Sequence, residues 1–352
     1  MQPIRIAQFG LGPIGLESVK YLATKPWAQI IGGIDIDPLK QEQSLGRLTG
    51  ITALDDVSVY ASFDDLCEHA KPDVVLHTAG SSVVRSIEQI MPMVKAGAHV
   101  ASTCEPLLYP WLTAPQASAE LDAACMAAGV SVVGTGVNPG FVMDLLPVVM
   151  TGVSTRIDRI KATRVVDATT RRGPLQKKIG SGLEPETFQS LFQQGKAGHA
   201  GFCESAALLA HSMGWHVTAD DIVETLEPVV ADKPIKTEHV TVEPGQTRGL
   251  HQMVKVMYKG ELVIDLDLTM ALCEETPHDT VTIEGAPNLT LTFPDGVPGD
   301  QATVASLINS VPRLITSKPG LRLMTELASP IHDKVSILGG SHFIMPGEKA
   351  VS

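Results

Sequence analysis

Glu105 stands alone at the end of an apolar run. In residues 101–110, ASTCEPLLYP, it lies between Cys104 and Pro106, where a strand should give way to a loop. A carboxylate there has three readings: a solvated loop acid, a helix-start residue, or a group that moves protons in a reaction. The other chemistry-bearing residues near the front of the chain are glycines. Gly10, Gly12 and Gly15 occupy G-x-G-x-x-G spacing in FGLGPIG, with Pro13 and Ile14 between the last two. The apolar run IRIAQF precedes them and a helical period follows, which is the context a dinucleotide-binding turn requires. The first glycine permits the tight turn, the second lets backbone approach a pyrophosphate, and the third lets helix and strand pack closely. The helix N-terminus then favours the anion. The plain alternative is a strand–turn–helix whose glycines only pack.

Asp35 ends the next apolar run, about 20 residues after Gly15, where an acid can accept from a ribose 2′-hydroxyl. A carboxylate there repels a 2′-phosphate, so the expected cofactor is NAD or NADP with NAD favoured. Lys40 and Arg47 are near enough in sequence to temper that preference. Asp37 reads instead as a helix-start acid before Pro38. The run PDVVLHTAGSS ends in Thr78, Gly80 and Ser81, placed beside the cofactor if the sheet is parallel, with His77 packing inside the strand. GTGVNPGF, 134–141, supplies Asn138, whose amide both donates and accepts and so suits a nicotinamide carboxamide. It also supplies Phe141, a candidate apolar wall of a substrate pocket. The same segment reads equally as a hinge between domains.

His199, in the glycine-flanked KAGHAG, is a weaker pocket candidate, while His211 and His216 border a helix end and read as structural. Cys104 has no base beside it in sequence and reads as a packing thiol. TRRGPLQKK carries Arg171, Arg172, Lys177 and Lys178, which either bind a substrate carboxylate or form a solvated charge run. There is no G-x-S-x-G elbow, H-E-x-x-H pair or Walker loop, and no metal site is expected.

These residues need elements to hold them. Up to about residue 144, apolar runs alternate with helical periods, and the runs are nearly continuous in Val, Ile and Ala. That grammar predicts a parallel sheet covered on both faces, an α/β domain of Rossmann type over 1–146. Beyond it the pattern changes. GLHQMVKVMYKGELVIDLDLTMAL reads as two long strands joined at Lys259–Gly260, with Leu262, Ile264, Leu266, Leu268 and Met270 on one face. Residues 147–299 therefore read as a second, α+β domain with a mainly antiparallel sheet. DQATVASLINSVPRLI returns to helical spacing, and residues 300–330 are expected to complete the first domain. The tail after Pro330 carries no clear signal.

Composition narrows the class. The 352 residues suggest about two domains. A 44% hydrophobic and 19% charged content supports buried cores. The net charge of −12 argues against nucleic acid and anionic membrane as partners. Five cysteines without C-x-x-C spacing suggest neither a disulfide framework nor zinc. With no signal-peptide pattern and no membrane-spanning run, a cytoplasmic location is expected.

FGLGPIG, STCEPLLYP, GTGVNPGFVMDLLP, RRGPLQKKIGSG and GHAGFCESAALLAHSMGW, in that order, resemble the 2,4-diaminopentanoate dehydrogenases and related native amine dehydrogenases. The first domain of those enzymes resembles dihydrodipicolinate reductase. The resemblance implies a homodimer whose second domain builds the substrate pocket and the interface. It implies NAD(P)-dependent interconversion of a primary amine with a ketone or aldehyde plus ammonia, so that the partners are a small carbonyl or amine compound and ammonium. It makes Glu105 the catalytic acid–base and puts Asn138 and Phe141 in the nicotinamide-facing loop. A diamino acid substrate, a reductase that uses no free ammonia, and a silent dinucleotide sensor are the competing readings. The histidine cluster of dihydrodipicolinate reductase is absent here.

Overall fold

The computed structural model describes residues 2–332. The front of the chain alternates as the apolar runs predict. Strands β1 (Ile4–Phe9), β2 (Ala28–Ile34), β3 (Val59–Tyr60), β4 (Val74–His77), β5 (His99–Ser102) and β6 (Ser131–Gly134) are interleaved with helices. These are α1 (Pro13–Leu22), α2 (Pro38–Gln41), α3 (Leu45–Thr49), α4 (Phe63–His69), α5 (Val83–Lys95) and α6 (Pro115–Ala128). Helix α5 stops where Gly97 takes φ +85, a conformation that suits glycine. Every pairing in this sheet is parallel. The order is β3-β2-β1-β4-β5-β6, with a seventh strand, Gly320–Arg322, beside β6. Both β4 and β6 are buried at every residue, as strands covered on two faces must be.

The order reverses between β1 and β4, so the carboxyl ends of these strands flank the crevice where such sheets bind ligands. The segment that follows β5 is shaped by one glycine. A side chain at Gly134 would lie 2.4 Å from the Leu107 carbonyl carbon. Its absence lets the 3₁₀ turn Glu105–Leu108 rest directly on the end of β6.

After α7 (Leu145–Thr151) comes β7 (Arg156–Asp167), then α8 (Gly173–Lys178), α9 (Pro185–Gln193), α10 (Phe202–Ser212) and β8 (Ile222–Val230). A small ribbon of β9 (Ile235–Lys236) and β10 (Thr241–Val242) precedes β11 (Thr247–Tyr258), β12 (Glu261–Ala271), β13 (His278–Ala286) and β14 (Leu289–Pro294). The six-stranded second sheet runs β14-β13-β7-β12-β11-β8. It is antiparallel except for β7 beside β12. The hairpin forms at Lys259–Gly260, both at positive φ, as a tight two-residue connection requires. Ile264, Leu266, Leu268 and Met270 bury one face together with Phe188 and Phe202 from α9 and α10. The sequence reading omitted β8, an edge strand whose alternation is interrupted by acids and a proline.

Helix α11 (Gly299–Leu314) returns to the first sheet. Val304, Leu307, Ile308, Val311 and Leu314 join a core that contains Ile6, Val74 and Val133. Strand β15 (Gly320–Arg322) then pairs with β6. Residues beyond 332, including most of the tail after Pro330, lie outside the described residues.

Gly134→Ala tests the seat of the Glu105 turn. The added methyl meets backbone rather than a movable side chain, so overpacking should cost about 1–3 kcal/mol in urea unfolding. Unchanged stability would show that the turn moves freely on β6.

Candidate active site

The glycine turn divides its labour as its three positions suggest. Gly10 has φ +86 and lies against the Thr78 backbone, where a side chain would come within 3.0 Å. Thr78 Oγ1 donates to the Gly10 carbonyl at 2.8 Å, joining the turn to the end of β4. A side chain at Gly15 would strike the Gly10 carbonyl oxygen at 1.9 Å, so this glycine serves packing. Gly12 faces open space and caps α1 with no side chain, followed by Pro13. Its free surface and the helix N-terminus form a place for a diphosphate.

Leu11 N donates to Asp35 Oδ2 at 2.8 Å, Asp37 N to Oδ1 at 2.9 Å, and Lys40 Nζ to Oδ2 at 3.0 Å. Burial pushes the Asp35 carboxyl up, but these donors outweigh it and hold the group below its ordinary value. Asp37 caps α2 by accepting from Leu39 N. Gly10, Gly12, Asp35, Lys40, Thr78 and Ala79 line a cavity of about 500 Å³. Ile36, 88% exposed, lies at its mouth and offers a flat apolar surface.

Gly80 and Ser81 do not line this cavity, contrary to expectation. They are exposed one step farther along the loop, and Ala79 takes the lining position. Gly80 turns the chain at φ +134, and Ser81 follows it out to the surface.

A second cavity, of about 200 Å³, lies against Ile14 and gathers Glu105, Asn138, Arg164, Arg171, Arg172 and His199. Glu105 opens the 3₁₀ turn after Cys104, whose thiol burial pushes up to about 11 and makes inert. Lys178 Nζ faces Glu105 Oε1 at 3.9 Å. Behind Glu105 sits Gly201, the cap of α10, at φ +80. A side chain at Gly201 would come within 2.5 Å of Pro139 Cγ and 2.8 Å of Glu105 Cβ.

The Asn138 turn is built around a buried acid. Asp144, fully buried, accepts from Gly140 N at 2.9 Å, Leu145 N at 2.6 Å and Ser205 Oγ at 2.8 Å. Burial raises its carboxyl against the pull of those three donors. The Asn138 amide is buried in the cavity wall, and neither its nitrogen nor its oxygen has a partner among the described residues. A buried amide with both groups unmet fits a ligand amide that donates and accepts in return. The turn thus suits the nicotinamide end, and Gly12 with Asp35 suits the other end, of one dinucleotide. Phe141 is not part of the pocket. It is 38% exposed and does not line the cavity. Gly140 turns the chain at φ +131, and Val142, Met143 and Asp144 take the inward positions.

The basic run divides. Arg171 and Arg172 line the cavity and both engage Asp300 of α11, with Arg171 Nη2 donating at 2.7 Å. Both lysines are exposed and neither lines the cavity, but Lys178 faces Glu105. Arg164 was missed by the sequence reading. It points inward from β7, donates to Asp279 Oδ2 at 2.6 Å and to the Val297 carbonyl at 2.7 Å, and reaches the cavity. An arginine at an inward position of an apolar strand was the available signal. His199 lines the cavity with Nδ1 on the Ala200 carbonyl. Burial, then Lys178 and Arg164, push it down to about 4, so the imidazole is neutral near pH 7.

Glu204, on the first turn of α10, was also missed. It accepts from Thr113 Oγ1 at 3.2 Å and is 4% exposed. Burial, aided by Glu224 and Glu105, pushes it up to about 7. Its folded form holds a proton more tightly than the unfolded chain, so its stabilising effect is present below the ordinary value and fades as pH rises through about 7.

Three comparisons describe the chain's relatives. A family model, the 2,4-diaminopentanoate dehydrogenase C-terminal domain, matches residues 141–337. The chain is 29% identical over 344 residues to the 2,4-diaminopentanoate dehydrogenase of Acetoanaerobium sticklandii, covering 94% of this chain and 95% of that protein. It is 24% identical to an amine dehydrogenase of Streptomyces virginiae, covering 94% and 97%. The solved amine dehydrogenase of Mycobacterium smegmatis shares the fold, with TM-score 0.84, 24% identity and coverage of 94% and 98%.

Glu204→Gln keeps the acceptor for Thr113 and removes the titration. The variant should gain stability over the wild type between pH 4.5 and 8, by on the order of 3 kcal/mol, in denaturant titrations at the two pH values. A difference that does not change with pH would show that Glu204 titrates normally.

Proposed function

The chain belongs to the 2,4-diaminopentanoate dehydrogenase family and is an amine dehydrogenase, an NAD(P)-dependent oxidoreductase acting on CH–NH2 groups; we propose that Glu105 carries its acid–base chemistry. The observation that carries this reading is the shared cavity. Glu105 opens onto the same small space as the unpartnered Asn138 amide, which suits the nicotinamide end of the cofactor. In the direction of amine formation, the Glu105 carboxylate takes a proton from ammonium and frees the nitrogen lone pair. That nitrogen adds to the carbonyl, giving a carbinolamine. Glu105 passes the proton to the departing hydroxyl, which leaves as water, and its negative charge then stabilises the iminium. The nicotinamide, when bound, supplies or takes the hydride. Lys178 Nζ, 3.9 Å from Glu105 Oε1, supports a cation facing this carboxylate. His199 keeps Nδ1–H on the Ala200 carbonyl, leaving neutral Nε2 to accept from a substrate N–H. Phe141 is left out of this substrate pocket, which His199 and the arginines form.

Arg164, Arg171 and Arg172 beside the reacting space favour a substrate that carries a carboxylate. A diamino acid formed from an amino ketone acid is therefore preferred to a simple ketone or aldehyde, and the name of the Acetoanaerobium relative supports this. Asp35 favours NAD, since a 2′-phosphate would meet its carboxylate. Lys40 beside it softens the exclusion of NADP. A homodimer is part of the reading, as the resemblance to the amine dehydrogenases implies. A reducing cytoplasm suits the free cysteines Cys67, Cys104, Cys125, Cys203 and Cys273. Among the described residues, no helix is long and apolar enough to cross a membrane.

Glu105→Gln should lower kcat by about 10²–10⁴-fold while NADH affinity, read by fluorescence, stays within about threefold. Near wild-type turnover would remove Glu105 from the chemistry. A panel of 2-amino-4-oxopentanoate, pentan-2-one and pentanal, each with and without ammonium, separates the substrate readings. NADH oxidation should need ammonium and be fastest with the carboxylate-bearing compound. Arg171→Met should raise KM about tenfold or more for that compound and little for pentan-2-one. Turnover without ammonium would select a C=O or C=N reductase instead.

A further inference from the structure

His199 reaches the cavity on a loop that carries three left-handed glycines. Gly195, Gly198 and Gly201 have φ +67, +99 and +80. Such a loop has little intrinsic preference for one shape. One buried side chain holds it. Gln252, on β11 and 1% exposed, accepts from His199 N at 2.7 Å and donates from Nε2 to the His199 carbonyl at 3.1 Å. The amide meets both backbone groups of a single residue, as a neighbouring strand would.

The remaining Nε2 hydrogen goes to Glu224 Oε1 at 2.6 Å. Glu224 lies on the adjacent strand β8, opposite Val254 and two residues from the partner of Gln252. With both donors and the acceptor engaged, the amide has a single satisfied orientation. Gly198 completes the fit, since a side chain there would come within 3.1 Å of the Phe192 ring and 3.4 Å of Gln252 Oε1.

We propose that Gln252, oriented by Glu224, is a positioning residue that fixes the His199 backbone and so presents its imidazole to the substrate's amino group. This rests on the reading of the cavity as the amine site. Gln252 touches neither the reacting space nor the dinucleotide cavity, so it acts through His199 alone.

Gln252→Met keeps the length and removes both hydrogen bonds to His199. It should raise the amine KM tenfold or more, leave NADH affinity within twofold, and speed hydrogen exchange at the His199 amide by about 100-fold. Glu224→Gln retains an acceptor for Gln252 Nε2 and should stay within threefold of the wild type in KM. In a His199→Ala background, adding Gln252→Met should change KM by less than twofold. An unchanged KM in Gln252→Met, a parallel loss of NADH affinity, or an undiminished effect without the imidazole would each overturn the proposal. Failure of the wild type to form or oxidise any amine would sink the amine reading. The exchange rate of the His199 amide still decides the clamp in that case.

Discussion

The active site depends on one close approach, the backbone of Gly201 lodged between Pro139 and Glu105. A left-handed φ and contacts shorter than any side chain permits coincide at this residue. The glycine brings the first turn of α10, a helix of the second domain, against two loops from the edge of the first sheet. Three consequences follow along that turn. Gly201 backs the Glu105 segment, Glu204 meets Thr113, and Ser205 donates to Asp144. Asp144 in turn shapes the loop that carries Asn138. Glu105 and the Asn138 loop therefore lean on a single helix end.

The cavity is electrostatically divided. Glu105 and Asp300 face Lys178, Arg171 and Arg172 around it. Arg164 is held by Asp279 underneath. His199 and Glu204 are both pushed by burial toward their neutral forms. A neutral imidazole can accept from a donor without repelling a cation, and the raised Glu204 carries less negative charge near Glu105 than an ordinary carboxylate would. The burial that shifts these groups would also strengthen the attraction between Glu105 and a positive nitrogen.

The local features were legible in the sequence. The glycine spacing, Asp35 and the end of the Glu105 strand are each marked by residue type and position within a short stretch, where composition and period carry information. The irregular turns were less so. Phe141, Gly80 and Ser81 were assigned to pockets they do not line, because a glycine at φ above +100 redirects every following side chain, and spacing does not reveal φ. Lys177 and Lys178 show the same limit inside a helix. Successive residues point about 100° apart, so one meets Glu105 and the other meets water. Arg164, Glu204 and Gln252 lie in segments that read as ordinary strand or helix, and their partners are distant in the chain.

The layers are readable from residue order alone: a parallel sheet from nearly continuous apolar runs, a mainly antiparallel one from the long hairpin, and a dinucleotide turn from three glycines. Residue order also marked Glu105, since a lone carboxylate at a strand end is a local fact. Which groups meet it depends on how distant elements pack together. Asn138, Arg164, Lys178, His199 and Asp300 come from separate elements, and Asp300 lies on the helix that returns to the first sheet. Periodicity specifies which face of an element is buried. It does not specify which other face lies opposite, because that depends on how all the buried surfaces pack at once.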